Sequence, residues 1–281
     1  MPAIPAWPPR SAPRLFVPDP IAAGVPVTVE GNAAHYLGKV MRIGVGDAVI
    51  LCDDVTGEWA CRVIDAAKRA VTLEPVEKLR EREQVPDLWL LPALLKKDRF
   101  DLVLEKATEL GVRAIHPVVT RRCVADKLNA ERARTIVTEA AEQCARTALP
   151  ELAEPLKLDA LLRDWPTDRA LFFADELGGE PAEAAFKSCY ESQRRLGPQA
   201  SEEPQLDDQV EGGSRLRGNA PLAKAALLIG PEGGFENTER EVIRAHPQAR
   251  AISLGPRILR GETAAIAATA LWMGTVGDWQ G

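Results

Sequence analysis

Histidine is scarce in this chain of 281 residues: there are three, none in an HExxH or triad-like group. Cysteine is limited to Cys52, Cys61, Cys123, Cys144 and Cys189, with no CxxC pair and no histidine at ligand spacing. That scatter argues against a zinc site and for reduced thiols, so no metal and no disulfide framework are expected. No run is long and apolar enough to span a membrane. The opening MPAIPAWPPRSAPR is too rich in proline, and too short of an apolar core, for a signal peptide. A cytoplasmic location is the expectation. A basic surplus is missing as well: the formal net charge is −6, which excludes a broadly basic nucleic-acid binder. A local basic face remains open, because residues 1–150 carry 21 Lys/Arg against 20 Asp/Glu while 151–281 carry 14 against 21.

What the chain does have is concentrated near its C-terminus, in LLIGPEGGF (227–235) and ISLGPRILRGET (252–263). Each opens as a short apolar run, 225–229 and 251–254, of the kind found in strands of a covered parallel sheet. Each run enters a Gly-Pro turn and then a helix start. Thr238 and Glu241 have capping-box spacing, and an Ala-rich helix is predicted from Glu262/Thr263 to about Val276. Strand ends, glycines and helix N-termini thus meet, and α/β sheets bind ligands at the carboxyl ends of their strands. These are not phosphate loops. Gly230-Pro231-Glu232-Gly233-Gly234 lacks both the Walker Lys-Ser/Thr and the GxGxxG spacing, and Pro231 removes a backbone donor. The turns suit a flat or bent ligand read by main-chain groups, or they are purely structural.

Earlier in the chain, RLFV (14–17), AVIL (48–51), EWACRVI (58–64) and AVTLEPV (70–76) read as short strands between Gly/Asp turns, with one helical interruption at HYLGKVMRI (35–43). Spacing of this kind suggests a small barrel. A charged stretch, 77–84, reads as a linker. Then come an apolar strand at 88–94, a helix carrying Phe100, Val103, Leu104, Ala107 and Leu110 on one face, and a strand at 112–119. That is a βαβ unit. A long helix is predicted over roughly 130–148, and RALFFA (169–174) is another buried strand whose end, Asp175 to Gly179, should form a third wall of the ligand crevice. Residues 193–219 are polar and rich in Gly, Pro and Gln, and read as a mobile insertion.

LLIGPEGGF followed by LGPRILRxET, with KATELGV (106–112), AAEQCAR (140–146) and RLFV…HYLGKVMRIGVGD, closely resembles the 16S rRNA (uracil(1498)-N(3))-methyltransferase family of the SPOUT superfamily. The resemblance implies an α/β SPOUT domain with a C-terminal trefoil knot, at 86–281, and a small PUA-like β-barrel domain within 1–80. It implies S-adenosylmethionine (SAM) as cofactor, 16S rRNA of the small subunit as substrate, and a homodimer. Other readings are ribose 2′-O-methylation on the same fold and a non-catalytic RNA-binding scaffold. Cofactor contacts are expected at Ala174, Leu228, Gly230, Pro231, Glu232, Gly233, Gly234, Leu254, Gly255, Pro256, Leu259 and Thr263. Arg260 and Glu262 are the expected catalytic pair, one stabilising a uracil anion and the other taking the N3 proton; equally, they could pair only with each other. RNA contacts are expected from Arg14, His35, Lys39, Arg42, Lys97, Arg99, Arg121, Arg122, Gln143, Arg146 and Arg257, though several of these fit a solvated helix face as well. Gln143 and Arg146 are expected on one side of a single helix. The chain departs from the family pattern at Gly261 (usually Thr or another small residue with a side chain), Arg121 (often acidic) and Ala145 (a Gly).

Overall fold

The computed structural model describes residues 7–196 and 223–280. Its first elements are β1 (Arg14–Phe16), β2 (Val27–Glu30), α1 (Gly31–His35) continuing as a π turn over Tyr36–Val40, β3 (Ala48–Cys52), β4 (Glu58–Ala66) and β5 (Ala70–Arg80). Strands and helices then alternate: β6 (Leu88–Pro92), α2 (Lys97–Glu109), β7 (Ala114–Ile115), β8 (Val118–Val119), α3 (Ala130–Cys144), β9 (Glu151–Leu152), β10 (Leu156–Lys157) and α4 (Leu158–Arg163). The rest are β11 (Ala170–Ala174), β12 (Glu180–Pro181), α5 (Ala182–Leu196), β13 (Ala225–Ile229), α6 (Asn237–Ala245), β14 (Ala249–Ser253) and α7 (Gly261–Thr275). The chain divides into two compact units, one of residues 1–85, 104–109 and 129–150, the other of 86–103, 110–128 and 151–281.

The first unit is built on a five-stranded sheet of order β1-β3-β4-β5-β2, antiparallel except that β1 joins β3 in parallel. Alternation along β5 turns Val71 and Leu73 inward, where they meet Leu37, Val49, Leu51, Cys61 and Val63. The β4–β5 register shifts between Ala60 and Cys61, opposite Pro75, which has no N–H for the ladder. Residues 77–80, expected as linker, continue β5 instead, and Arg80 pairs with Glu58. A strand the sequence reading omitted, β2, closes the far edge. Helix α3 joins this unit through Glu142, which accepts from the Phe16 N–H at 2.8 Å. Asn129 caps α3, and the helix stops at Ala145 with φ 61°, in the left-handed region.

The second unit is a seven-stranded, all-parallel sheet of order β12-β14-β11-β13-β6-β7-β9. β13 is buried at every position, as a central parallel strand should be, and pairs with β6 on one side and β11 on the other. The predicted strand 112–119 is two short ones. Pro117 separates them, sending β7 to the main sheet and β8 to a two-stranded pair with β10. The predicted capping box also moves. Glu236 and Glu239 form it, Glu239 Oε2 accepting from the Glu236 N–H at 3.0 Å, so α6 begins before Thr238. The start of the expected insertion is corrected in part: residues 193–196 finish α5, and the Gln193 amide closes on the Lys224 backbone at 2.9 and 3.1 Å. Residues 197–219 of that expectation lie outside the described residues. Among the described residues no helix is long and apolar enough to cross a membrane, and no cluster of His, Cys, Asp and Glu could hold a metal ion.

Candidate active site

β11, β13 and β14 lie side by side, so the turns after them converge at one edge of the parallel sheet. They enclose a cleft of ≈ 310 Å³ walled by residues 174–178, 229–232 and 252–259, with Gly234, Phe235, Arg240, Gly261 and Ala264 completing it. Glycines and prolines (Gly178, Gly230, Pro231, Gly234, Gly255, Pro256) make up part of the wall, so main-chain groups are exposed there beside acidic, basic and apolar side chains.

Ion pairs hold the turns. Buried Asp175 accepts from Arg240 Nε at 3.0 Å, from Arg244 Nη2 at 2.7 Å and from the Leu177 N–H at 3.0 Å. Arg240 reaches on to Glu176 at 3.0 Å, fixing the turn after β11 to α6. Gly234 sits against this Glu176 at φ +65°, and a Cβ there would lie 2.5 Å from Glu176 Oε1. A side chain at 234 therefore strains the backbone as well as filling ligand space, which makes Gly234→Val a test of both together. On the other side Arg122 Nη1 donates to the Gly233 carbonyl at 2.6 Å, and the Arg121 N–H to Glu239 at 2.7 Å. Arg121 also pairs with Glu236 at 2.7 Å, a use for the residue that departs from the family pattern.

The catalytic candidates stand where α7 begins. Glu262 is in its first turn and only 8% exposed. Its Oε1 lies 3.8 Å from Arg99 Nε, and its Oε2 has no hydrogen-bond partner among the described residues. Arg99 Nη1 in turn donates to Glu232 Oε1 at 2.7 Å. Arg260, the residue before α7, is exposed, and its side chain makes no hydrogen bond or ion pair with a described residue. The alternative in which Arg260 and Glu262 serve only each other is thus not what the side chains do; Glu262 faces Arg99. Gly261 lets α7 start close to the turn after β13, since a Cβ on it would meet the Gly230 carbonyl at 3.2 Å and Leu95 at 3.1 Å.

Of the residues expected to touch the cofactor, Ala174, Gly230, Pro231, Glu232, Gly234, Leu254, Gly255, Pro256 and Leu259 line the cleft. Leu228 does not; its side chain is in the core with Leu91 and Phe173. Gly233 faces Arg122, and Thr263 is exposed on α7. The strand end 175–178, expected as a third wall, does line the cleft, Glu176 included. Sequence reasoning missed Arg240, Ser253 and Ile258 as lining residues; Arg240, from a helix face, was beyond its reach. The expected RNA contacts divide. Lys97, Arg99, Arg121, Arg122 and Arg257 belong to the α/β unit, and Arg257 lines the cleft. In the other unit His35, Lys39, Arg42 and Gln143 are exposed, whereas Arg14 is committed to Glu58 at 2.7 Å. Arg14, Tyr36, Met41, Arg134 and Gln143 help line a second cleft of ≈ 820 Å³, where burial pushes the Glu142 carboxyl up. Arg146 corrects the expectation of a shared helix side with Gln143. It falls after the left-handed Ala145, is buried, donates to the Thr108 carbonyl at 2.8 Å and lies 3.4 Å from Glu83.

Residues 81–273 match the RNA methyltransferase domain family, and residues 29–76 the RNA methyltransferase PUA domain family. Ribosomal RNA small subunit methyltransferase E of Synechocystis sp. is 30% identical over 261 residues, covering 92% of this chain and 76% of that protein. The enzyme of that name from Rickettsia conorii is 29% identical over 260 residues, covering 92% and 93%. Among solved structures, a methyltransferase from Legionella pneumophila in complex with bound SAM is 26% identical, with a TM-score of 0.74 over 95% of this chain and 99% of that one. Ribosomal RNA small subunit methyltransferase E from Neisseria gonorrhoeae, bound to SAM, shares the fold at 24% identity and a TM-score of 0.75, over 96% and 100%. With the domain match spanning most of the chain and relatives aligned along nearly its whole length, this protein belongs to the family of ribosomal RNA small subunit methyltransferase E, an α/β RNA methyltransferase with an N-terminal PUA domain.

Proposed function

We propose that this chain uses SAM to methylate N3 of one uridine in the 16S rRNA of the small ribosomal subunit, the position-1498 type. The observation that carries this reading is Glu262: a buried carboxylate with one oxygen left unpartnered among the described residues, next in sequence to a cleft-lining glycine. Uracil N3 holds a proton at neutral pH, so methylation there needs a proton acceptor; a ribose 2′-hydroxyl would need one too, and the choice of N3 over ribose rests on the motif resemblance at 227–235 and 252–263.

The cleft fits the cofactor. Its ≈ 310 Å³ lies in the range of small-molecule sites, and main-chain groups beside glycines can follow a bent ligand closely. When bound, SAM supplies an electrophilic methyl group. The chain's own residues do the rest. Glu262 Oε2 accepts the N3 proton, and the base becomes an anion delocalised onto its carbonyl oxygens. Arg260, uncommitted to any described side chain, stabilises that charge, with Arg257 orienting the base from the cleft wall. The target uridine must be unpaired or splayed out to present N3.

RNA is held through the exposed cations of both units, and a homodimer is part of the proposal. Beyond its first turn α7 is mostly apolar, yet Ile266, Ala267, Ala270 and Leu271 are only half-buried, which suits an isologous contact with a second copy. The test is nucleoside mass spectrometry of 16S rRNA from a deletion strain, before and after methylation by the purified protein. N3-methyluridine should be lost and restored; restoration of a ribose-methylated nucleoside instead would overturn the assignment.

A further inference from the structure

Three connections meet at Arg99. It stands in the first turn of α2, donates to Glu232 in the turn after β13 at 2.7 Å, and lies 3.8 Å from Glu262 at the start of α7. The two contacts are unequal. Glu232 holds the guanidinium by a charge-assisted hydrogen bond of normal length, while Glu262 is held by charge alone, through Oε1. Glu262 Oε2 is left buried and unpartnered among the described residues. Such an oxygen is costly until a donor reaches it, so the arrangement keeps one acceptor in waiting.

We infer that Arg99 is a positioning residue for methyl transfer: anchored by Glu232, it fixes Glu262 through Oε1 so that Oε2 stays available to the N3 proton of the target base. This rests on the reading of Glu262 as proton acceptor. It replaces the expectation that Arg99 contacts RNA. The charged groups set against Glu262 are Arg99 from α2 and, through it, Glu232 from the β13–α6 turn, with Arg260 preceding it on its own segment. Lysine would keep the charge but cannot hold two carboxylates with a planar fork.

The test is single-turnover methylation of small-subunit rRNA, with SAM and rRNA affinities measured separately. Arg99→Gln should slow the step roughly 10–100-fold, with either affinity changed less than about threefold and Arg99→Lys restoring part of the rate. In a Glu262→Gln background the same change should cost less than about threefold, because the two residues act as a unit. Glu232→Gln should slow the step by a smaller factor, and lose that effect when Arg99 is already Gln; it serves also if Arg99→Gln does not fold. Fully additive losses would overturn the inference. So would a loss confined to rRNA affinity, with a salt dependence shallower by about one phosphate contact. Glu262→Gln turning over like wild type would instead sink the proton-acceptor reading, whatever Arg99 does.

Discussion

Glu58 in the β unit and Glu262 in the α/β unit are both buried carboxylates within reach of arginine, and they are held in opposite ways. Glu58 Oε1 accepts from Arg14 and its Oε2 from Arg80, so neither oxygen is left over. Burial by itself would raise its carboxyl; the hydrogen bonds from Arg80 and Arg14 outweigh that and hold it below the ordinary range. Asp53, close by, is treated alike, with Thr56 and the N–H groups of Ile21, Val55 and Thr56 overcoming burial. Glu262 receives one long contact from Arg99 and nothing on Oε2 among the described residues. A carboxylate whose acceptors are all taken can only hold a fold together. One with an acceptor spare can still bind a proton or a donor, and that is the difference between the two units.

The contrast is broken first by removing the charge from each. Glu262→Gln should leave SAM affinity unchanged and lower single-turnover methylation ~10²–10⁴-fold, the usual worth of a general base. Part of the loss should return as pH rises, since hydroxide then generates the uracil anion. Arg260→Lys should slow turnover by less and without that recovery, because what is lost is the planar fork rather than the proton acceptor. Rate against pH for wild type and both variants decides; equal rates for Glu262→Gln and wild type would leave Glu262 with no part in proton transfer.

Glu58→Gln should do the reverse. Methyl transfer per folded molecule stays the same, while stability at neutral pH falls by about 1–3 kcal/mol as two arginines lose a charged acceptor. The sign of the pH dependence follows from the lowered carboxyl. Its stabilisation is complete above the ordinary glutamate range and is lost as pH falls through the depressed value. Denaturant melts of wild type and variant should therefore differ at neutral pH and converge in acid. A constant gap at every pH would mean that packing, not charge, holds Glu58.

The smallest change sharpens a backbone difference. Ala145 ends α3 at φ 61°, a conformation that glycine adopts without cost. Ala145→Gly should stabilise the protein by about 0.5–1 kcal/mol, visible as a higher melting temperature, with no effect on methylation. A lower melting temperature would mean the alanine methyl packs too well to lose.

Much of this was legible along the chain. Apolar runs located β6, β11, β13 and β14, and helical spacing located α2, α3 and α7 to within a few residues, because burial on a sheet or helix face leaves a local period. The Gly-Pro turns after β13 and β14 marked the cleft for the same reason: turn chemistry is local. Where two local signals compete, tertiary structure chose. Glu236/Glu239 and Thr238/Glu241 have the same spacing, and only the exit of β13 into its turn made the earlier pair the cap. Strands of two residues, such as β7 to β10 and β12, are too short to carry a period at all, and exist because a neighbouring strand supplies their hydrogen bonds.

What each charged residue does lies further beyond the sequence. The resemblance marked Arg14, Arg99 and Arg146 alike as RNA contacts and Arg260 and Glu262 as the catalytic pair. Folding committed Arg14 to Glu58, buried Arg146 against Thr108 and Glu83, tied Arg99 between Glu232 and Glu262, and left Arg260 open. Arg99 and Glu232 are 133 residues apart. A charge takes its role from the partners and burial it finds in space, and the neighbours along the chain carry no record of either.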